Sequence, residues 1–467
     1  MSIDIAYIVS HGFAARMVTQ TNLLGKLASA GKRVALICPD KNDPNLSTYC
    51  KAHGIQLIEF NVRKGFGDEN YMFKRKYLLE NIEDNPALLD KHIHAIRYNA
   101  SLNPIKRIRP YYYWFLYKLI PFLPFIRKNF KRNETRNLKS AKAKNLIATL
   151  QPTKLVSTYP VNYNEAVLLY YGNKHPQVET WIHLLSWDNI TCKGRFPEVA
   201  DQYIAWGDIM KSELQEYYNV PKQAIHACGV PHFDLHYSVK NNPSYSGHLE
   251  ELNLNSDRPY LFFAMSSPRF APKEIDIVEW LAAQIKSGEF GDNMQLVVRP
   301  HPQNVVGNLS DKNWLPRLRA LNTTGKIAVD FPTLSQSKLN WSMDMNDMER
   351  MAKLISGSCV TLNSGSTMSI DALSQEKPVI ITAFDANFKL DYWRSSRRLV
   401  DYVHLKKLIQ LGGVSVVNSY IELRNVISHY LINPGWNADQ RREAIRNELY
   451  RNDGESTNRV VEVLINS

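Results

Sequence analysis

The sequence is poor in cysteine, has no long apolar run, and in one region has almost no acidic charge. Its 467 residues hold five cysteines, Cys38, Cys50, Cys192, Cys228 and Cys359, an odd number at wide spacing with no Cys-x-x-Cys. That excludes a disulfide framework and a zinc ribbon, and it suits a reducing compartment. The longest stretch free of Lys, Arg, Asp and Glu is 354–370, which is rich in Ser, Thr and Gly, so no transmembrane helix is expected. Residues 1–10 run straight into strand-like sequence, so no signal peptide is expected. There is no internal repeat, no Gly-Lys-Ser/Thr of a Walker loop, no Asp-x-Asp, and no His/Cys/carboxylate group at ligand spacing, so no metal is expected. What remains is a globular composition, 44% hydrophobic and 22% charged, which rules out disorder, collagen and coiled coil. The length suits two or three domains, each able to bury a core without staples.

The charge is concentrated. Between residues 97 and 145 there are thirteen Lys/Arg and one acid, Glu134; this surplus of twelve equals the net charge of the whole chain, +12, so the rest sums to zero. Inside the segment lies the block Tyr111-Tyr112-Tyr113-Trp114-Phe115-Leu116-Tyr117, followed by Pro121-Phe122-Leu123-Pro124-Phe125. Aromatic rings at headgroup level with Lys/Arg on anionic lipid would make a membrane-surface anchor. Basic residues with stacking rings could also bind nucleic acid, and an ordinary buried helical hairpin with a solvated basic face is the plain alternative. Nothing else in the chain resembles a nucleic-acid motif. Pro121 and Pro124 predict two short helices joined by a kink.

Short apolar runs alternate with helical spacing along the rest. Strands are expected at 3–9, 33–40, 55–60, 155–158, 180–185, 202–206 and 225–228, and again at 260–265, 296–299, 359–362 and 378–381. Helices fall between them, and the polar stretch 237–257 reads as a linker. The pattern is α/β, two doubly wound Rossmann-like domains. The expected bounds are an N-terminal domain 1–236 with the basic aromatic insertion 97–145, a linker 237–257, a C-terminal domain 258–437, and a helical tail 438–467.

Ligands of such sheets sit beyond the carboxyl ends of the strands, so residues just after strands are the candidates. Asn363-Ser364-Gly365-Ser366-Thr367 follows a strand and opens a helix that carries Asp371. Small residues and a helix N-terminus form an anion site, with Ser and Thr hydroxyls as added donors; a plain Ser/Thr cap is the alternative. Arg299-Pro300-His301-Pro302 ends another strand, where Arg299 could grip a phosphate and His301 donate to it. Ser266 and Ser267 hold the equivalent place after a third strand. In the first domain His11 follows the first strand, where a histidine serves as general base or as a cap, and Asp188 follows the strand at 180–185, where it could act as a base or bind a sugar hydroxyl.

Taken together, Ser186-Trp187-Asp188-Asn189, Gly229-Val230-Pro231-His232-Phe233-Asp234, Ser266-Ser267-Pro268, Arg299-Pro300-His301-Pro302 and Asn363-Ser364-Gly365-Ser366-Thr367 resemble the bacterial GT-B glycosyltransferases that build capsule, O-antigen and exopolysaccharide. The His-Pro and Ser/Thr motifs are also similar to those of GT-B sialyl- and Kdo-transferases and of the CDP-glycerol glycerophosphotransferases. The resemblance implies two domains facing each other across a cleft, with the nucleotide-sugar donor on the second and the acceptor on the first. By that match His301, Ser364, Gly365, Ser366 and Thr367 hold the donor phosphate, His11 stands where some of these enzymes place their base, and Asp371 takes the ribose in place of a Glu-x7-Glu pair that this chain lacks. No cofactor is implied beyond a CMP-, CDP- or UDP-linked sugar as co-substrate, and metal-independent transfer is expected. The partners expected are that donor, a glycan or lipid-linked acceptor, and the membrane through 97–145, with no nucleic acid. The location expected is cytoplasmic, peripheral on the inner membrane face. Phosphotransfer from a CDP-polyol, and nucleotide-sugar epimerisation, are the alternative activities on the same fold; binding of a nucleotide-sugar without turnover is the non-enzyme alternative.

Overall fold

Val, Ile, Leu and Phe crowd into runs of three to five residues, and these form strands buried on both faces, as a parallel sheet covered by helices requires. The computed structural model describes residues 3–62, 66–97, 104–305, 314–322, 325–339 and 341–467, with 66–70 and 104–107 described as backbone only. Residues 98–103 of the basic insertion lie outside the described residues, as do the side chains of Lys106 and Arg107.

The chain divides into two compact units. The first holds β1 (Ile5–Ile8), β2 (Val34–Cys38), β3 (Gln56–Glu59), β4 (Lys154–Ser157), β5 (Glu179–His183), β6 (Gln202–Ala205) and β7 (Ile225–Ala227). They form one sheet in the order β3-β2-β1-β4-β5-β6-β7, with every pairing parallel. Ile5 stands opposite both Val34 and Lys154, so β1 is the centre from which the winding reverses. The second unit holds β8 (Tyr260–Ala264), β9 (Gln295–Arg299), β10 (Ile327–Val329), β11 (Val360–Asn363), β12 (Val379–Thr382) and β13 (Ser415–Val417). Their order is β10-β9-β8-β11-β12-β13, again parallel, and the reversal lies between β8 and β11. Leu261, Phe263, Leu296, Val298 and Leu362 of this sheet pack on Ile277, Val278, Leu281 and Ile285 of helix Glu274–Lys286. Both units are thus doubly wound and Rossmann-like.

The units are not cut where composition suggests. The first is 1–228 with 336–342 and 458–467; the second is 229–335 with 343–457. The stretch 237–257 is not a bare linker: it holds the end of helix Pro231–Asn241 and helix Ser246–Glu251, with Val239 and Leu249 buried. Helix Pro231–Asn241 packs on helices Asp347–Gly357 and Met368–Ser374, which draws 229–236 into the second unit. The tail also divides. Helix Ala438–Glu448 lies on Met368–Ser374, while 458–467 belongs to the first unit, where Arg459 Nε donates to the Cys228 carbonyl at 2.9 Å. The excursion 336–342 is mostly polar, with Leu339 buried and the Trp341 ring against Phe13. It is tied to the first unit by polar bonds, since Asp40 Oδ2 accepts from the Lys338 N–H at 2.8 Å and the Ser337 hydroxyl at 3.2 Å. A Cβ at Gly12 would lie 2.0 Å from the Trp341 carbonyl oxygen, so only glycine allows this loop its approach.

The basic insertion forms helices Pro104–Leu119 and Pro124–Asn133, broken where the prolines predict. Tyr113 and Tyr117 are buried with Tyr77 and Leu88, whereas Ile108, Tyr111, Tyr112, Phe115, Phe122 and Phe125 are all more than half exposed. No described helix is long and apolar enough to cross a membrane.

Candidate functional site

In the first unit the residues after β1, β4 and β5 meet where the winding reverses, the position that suits ligand binding in an open α/β sheet. His11 caps helix Gly12–Thr19, its Nδ1 accepting the Ala14 N–H at 3.2 Å. Its ring meets that of Tyr159 edge-on with centroids 4.7 Å apart. Burial pushes the imidazole down to about 4, with Lys193 and Arg16 pressing the same way and Asp188 against them. His11 is therefore neutral at pH 7, and because Nδ1 accepts, the proton sits on Nε2. In that tautomer His11 donates, whereas a general base would need the opposite one. Asp188 takes the Ser186 hydroxyl on Oδ1 at 2.6 Å and pairs through Oδ2 with Lys193 at 2.7 Å. Burial would lower Lys193, but the Asp188 charge overrides it and holds the ammonium above its usual value. The two expected residues of this unit thus share one electrostatic neighbourhood, with His11 as donor and Asp188 as the carboxylate.

In the second unit the corresponding place gathers Ser266 and Ser267 after β8 and Ser364, Gly365, Ser366 and Thr367 after β11. Gly365 has φ +79°, in the left-handed region, and a Cβ there would stand 3.0 Å from Leu405. The turn is shaped by Asn363, whose Oδ1 accepts the N–H groups of Gly365 and Ser366, both at 2.9 Å, while its Nδ2 donates to the Ser369 hydroxyl at 3.0 Å. These two N–H groups are satisfied within the loop, so an anion would take them by displacing Asn363. Ser364 Oγ lies 2.7 Å from Thr382 Oγ1. The Ser267 hydroxyl is buried without a hydrogen-bond partner, an orphan that a ligand oxygen would satisfy.

Of the three other expected donor ligands, two are committed elsewhere. Arg299 is 5% exposed, and its guanidinium is committed to two carboxylates: Nη1 to Asp330 Oδ2 at 2.5 Å and Nη2 to Asp347 Oδ1. Asp330 also takes Arg350 Nε at 2.8 Å. Two buried acids neutralise Arg299, so it braces β9 against helix Asp347–Gly357 and does not grip a phosphate. His301 caps helix Pro302–Val305, Nδ1 accepting the Gln303 N–H at 3.1 Å, which in the neutral form leaves Nε2 as a donor, as a phosphate ligand requires. Asp371 is turned from the loop it follows. Its Oδ1 lies 2.8 Å from His232 Nε2 and 3.7 Å from His236 Nε2, and it is 6% exposed, so its carboxylate serves these histidines and not a ribose.

Several residues escaped the sequence reading. Each unit sets a buried glutamate under its reversal point. In the first, Glu165 Oε2 accepts the Ser157 hydroxyl at 2.6 Å and the N–H groups of Thr158 and Tyr159 at 2.9 and 2.8 Å. In the second, Glu274 Oε2 accepts the Ser266 N–H at 2.6 Å. Burial pushes Glu274 up to about 8 in spite of the bonds from Ser364 and Ser266. Beside Asp188, Lys91 donates to the Cys192 carbonyl, and burial, with Lys193 and Lys76 adding, pushes it down to about 7. An isolated Glu or Lys gives no sequence signal of such burial. The His232/His236/Asp371 group did leave one, because His-x3-His on a helix places both rings on one face.

No protein-family model matches the chain, and no curated protein matches it. Among solved structures, the S. aureus MnaA–UDP co-structure superposes with a TM-score of 0.56 at 11% identity, covering 99% of this chain and 95% of that one. A UDP-N-acetylglucosamine 2-epimerase gives 0.53 at 12% identity, covering 99% and 95%. The Neisseria meningitidis UDP-GlcNAc 2-epimerase bound to UDP-GlcNAc gives 0.52 at 10%, covering 100% of each. At such identities the likeness is one of fold, and it agrees with the two Rossmann-like α/β units.

Proposed function

We propose that the chain is a glycosyltransferase that moves a sugar from a nucleotide-sugar donor to a glycan or lipid-linked acceptor in bacterial surface polysaccharide synthesis. The observation that carries this reading is the small-residue turn Ser364–Gly365–Ser366–Thr367 beside Ser266 and Ser267, at the reversal point of a fold on which UDP and UDP-GlcNAc bind in the S. aureus and Neisseria proteins. The turn and the orphaned Ser267 hydroxyl would hold the donor phosphates, with His301 Nε2–H as a further donor to the departing charge. In the first unit Asp188 would take the acceptor proton, and neutral His11 would position the hydroxyl by donating to it.

The exposed aromatic face favours transfer. Phe122 is 80% exposed, and Phe125, Tyr111, Tyr112 and Phe115 follow it, on helices that also carry Lys118, Arg127, Lys128, Lys131 and Arg132. Rings at the headgroup level with cations on anionic lipid suit a peripheral enzyme on the inner face of the membrane whose acceptor is lipid-linked. An enzyme acting on a free nucleotide-sugar has no use for such a face.

The fold of the neighbours favours a second reading, epimerisation of the nucleotide-sugar. Incubation with donor alone and with donor plus acceptor lipid separates the two. Transfer releases nucleotide only when acceptor is present and yields a glycosylated product. Epimerisation interconverts the sugar with no acceptor, and a phosphodiester product would mark polyol phosphate transfer. No turnover of any donor under either condition would overturn the proposal.

A further inference from the structure

Three ligand atoms converge inside the second unit. His232 and His236 lie one turn apart on helix Pro231–Asn241, and Asp371 lies on helix Met368–Ser374. His232 Nε2 is 2.8 Å from Asp371 Oδ1 and 3.2 Å from His236 Nε2, and His236 Nε2 is 3.7 Å from the same Oδ1. All three residues are buried. We propose that this is a divalent transition-metal site of the zinc class.

Ligand spacing and proton placement both point to a metal. The first is size. Ligands about 2.0–2.1 Å from a tetrahedral zinc stand about 3.3–3.4 Å from one another. The observed edges of 2.8, 3.2 and 3.7 Å bracket that value, and two imidazole nitrogens with one carboxylate oxygen are a set suited to zinc. The second is proton placement. Gln375 Nε2 donates to His236 Nδ1 at 2.7 Å and to the Ala352 carbonyl at 3.0 Å, which puts the His236 proton on Nε2, facing His232. If the His232 proton is also on Nε2, two donors meet at 3.2 Å. If it is on Nδ1, the His232 Nε2 lone pair faces a carboxylate oxygen at 2.8 Å. With the Gln375 amide as it stands, no placement of protons on neutral rings satisfies all three contacts, whereas a cation accepts three lone pairs at once. With the metal bound, both imidazole protons would sit on Nδ1: that of His232 keeps no partner, and that of His236 would meet Oε1 of Gln375 once the amide turns over and gives up its bond to the Ala352 carbonyl, the outer partner that orients a metal-bound histidine.

The ion would pin the helix that follows the Ser364–Thr367 turn to helix Pro231–Asn241. It would leave one tetrahedral position for water or another outside ligand. This inference does not rest on the proposed sugar transfer, and its test does not read activity.

The test is titration of the chelator-stripped full chain with Co2+, followed by its visible absorption, and then competition with Zn2+. One equivalent of Co2+ with the intense bands of a four-coordinate ion, displaced by Zn2+, is expected. His236→Ala and Asp371→Asn should each abolish the spectrum, Gln375→Ala should weaken affinity about 10–100-fold, and Gln375→Glu should restore it. Should a histidine variant fail to fold, wild-type melting decides, because Zn2+ must raise the melting temperature of the stripped protein and chelation must lower it. Absence of a four-coordinate Co2+ spectrum overturns the proposal, as does an unchanged spectrum in Asp371→Asn or a wild-type melt indifferent to Zn2+.

Discussion

Replacing Glu274 by glutamine should make the protein more stable at pH 8 than the wild type and leave it little changed at pH 5. The carboxyl is 1% exposed and bonded through one oxygen to the Ser266 N–H, while the other oxygen, Oε1, has no hydrogen-bond partner. Burial raises it from 4.5 to about 8. Unfolded, it releases its proton near 4.5; folded, it keeps it until about 8. Between those values the folded state binds the extra proton, so stability falls as pH rises through the window. Each unit of displacement is worth about 1.4 kcal/mol, and the part lying between pH 5 and pH 7 comes to about 2 kcal/mol. Glutamine keeps the shape and the acceptor for Ser266 but cannot ionise. Equilibrium urea unfolding of both proteins at pH 5, 6, 7 and 8 gives the difference curve, which should rise steadily with pH. Parallel curves would refute the argument, since they would mean that Glu274 titrates alike in both states.

Arg299→Met should cost about 3–5 kcal/mol, since it leaves Asp330 and Asp347 buried with one positive partner fewer; a change under 1 kcal/mol in urea unfolding would mean the pairings do not form. His11→Gln should lower turnover while leaving the shape of the pH–activity profile between 5.5 and 8 unchanged, because the imidazole ionises near pH 4; an inflection near pH 6.5 that this variant removes would contradict the neutral donor. Changing Tyr112, Phe122 and Phe125 together to serine should abolish co-sedimentation with anionic vesicles at an unaltered melting temperature, and equal sedimentation of both proteins would remove the membrane face from the account.

The strands were legible because a parallel sheet buries both faces, so 34–38, 260–264 and 295–299 read as unbroken apolar runs. The break between helices Pro104–Leu119 and Pro124–Asn133 was legible from proline chemistry. Strand β13, Ser415–Val417, is three residues beside two glycines and carries no such signal. Helix Pro231–Asn241 was hidden by the polar sequence at its end, although its buried face packs the core of the second unit. The turn at 364–367 could be placed from small residues after a strand, but the Asn363 side chain that shapes it could not. The role of Arg299 is hidden in the sequence for a simple reason: the acids that neutralise it lie 31 and 48 residues away in the chain. The partner of Asp371 is hidden likewise, because His232 comes 139 residues before it.

Whether the Ser364–Thr367 turn holds a nucleotide is read from melting with UDP, GDP, CDP, CMP and dTDP, on the wild type and on Gly365→Ala. A left-handed φ of +79° makes alanine there costly by about 1–2 kcal/mol, so the variant still folds while the turn is displaced. At least one nucleotide should raise the wild-type melt, by about 2.7 kcal/mol of stabilisation at one hundred times its Kd, and Gly365→Ala should lose most of the shift. A wild type indifferent to all five, or a variant that keeps the full shift, would contradict it.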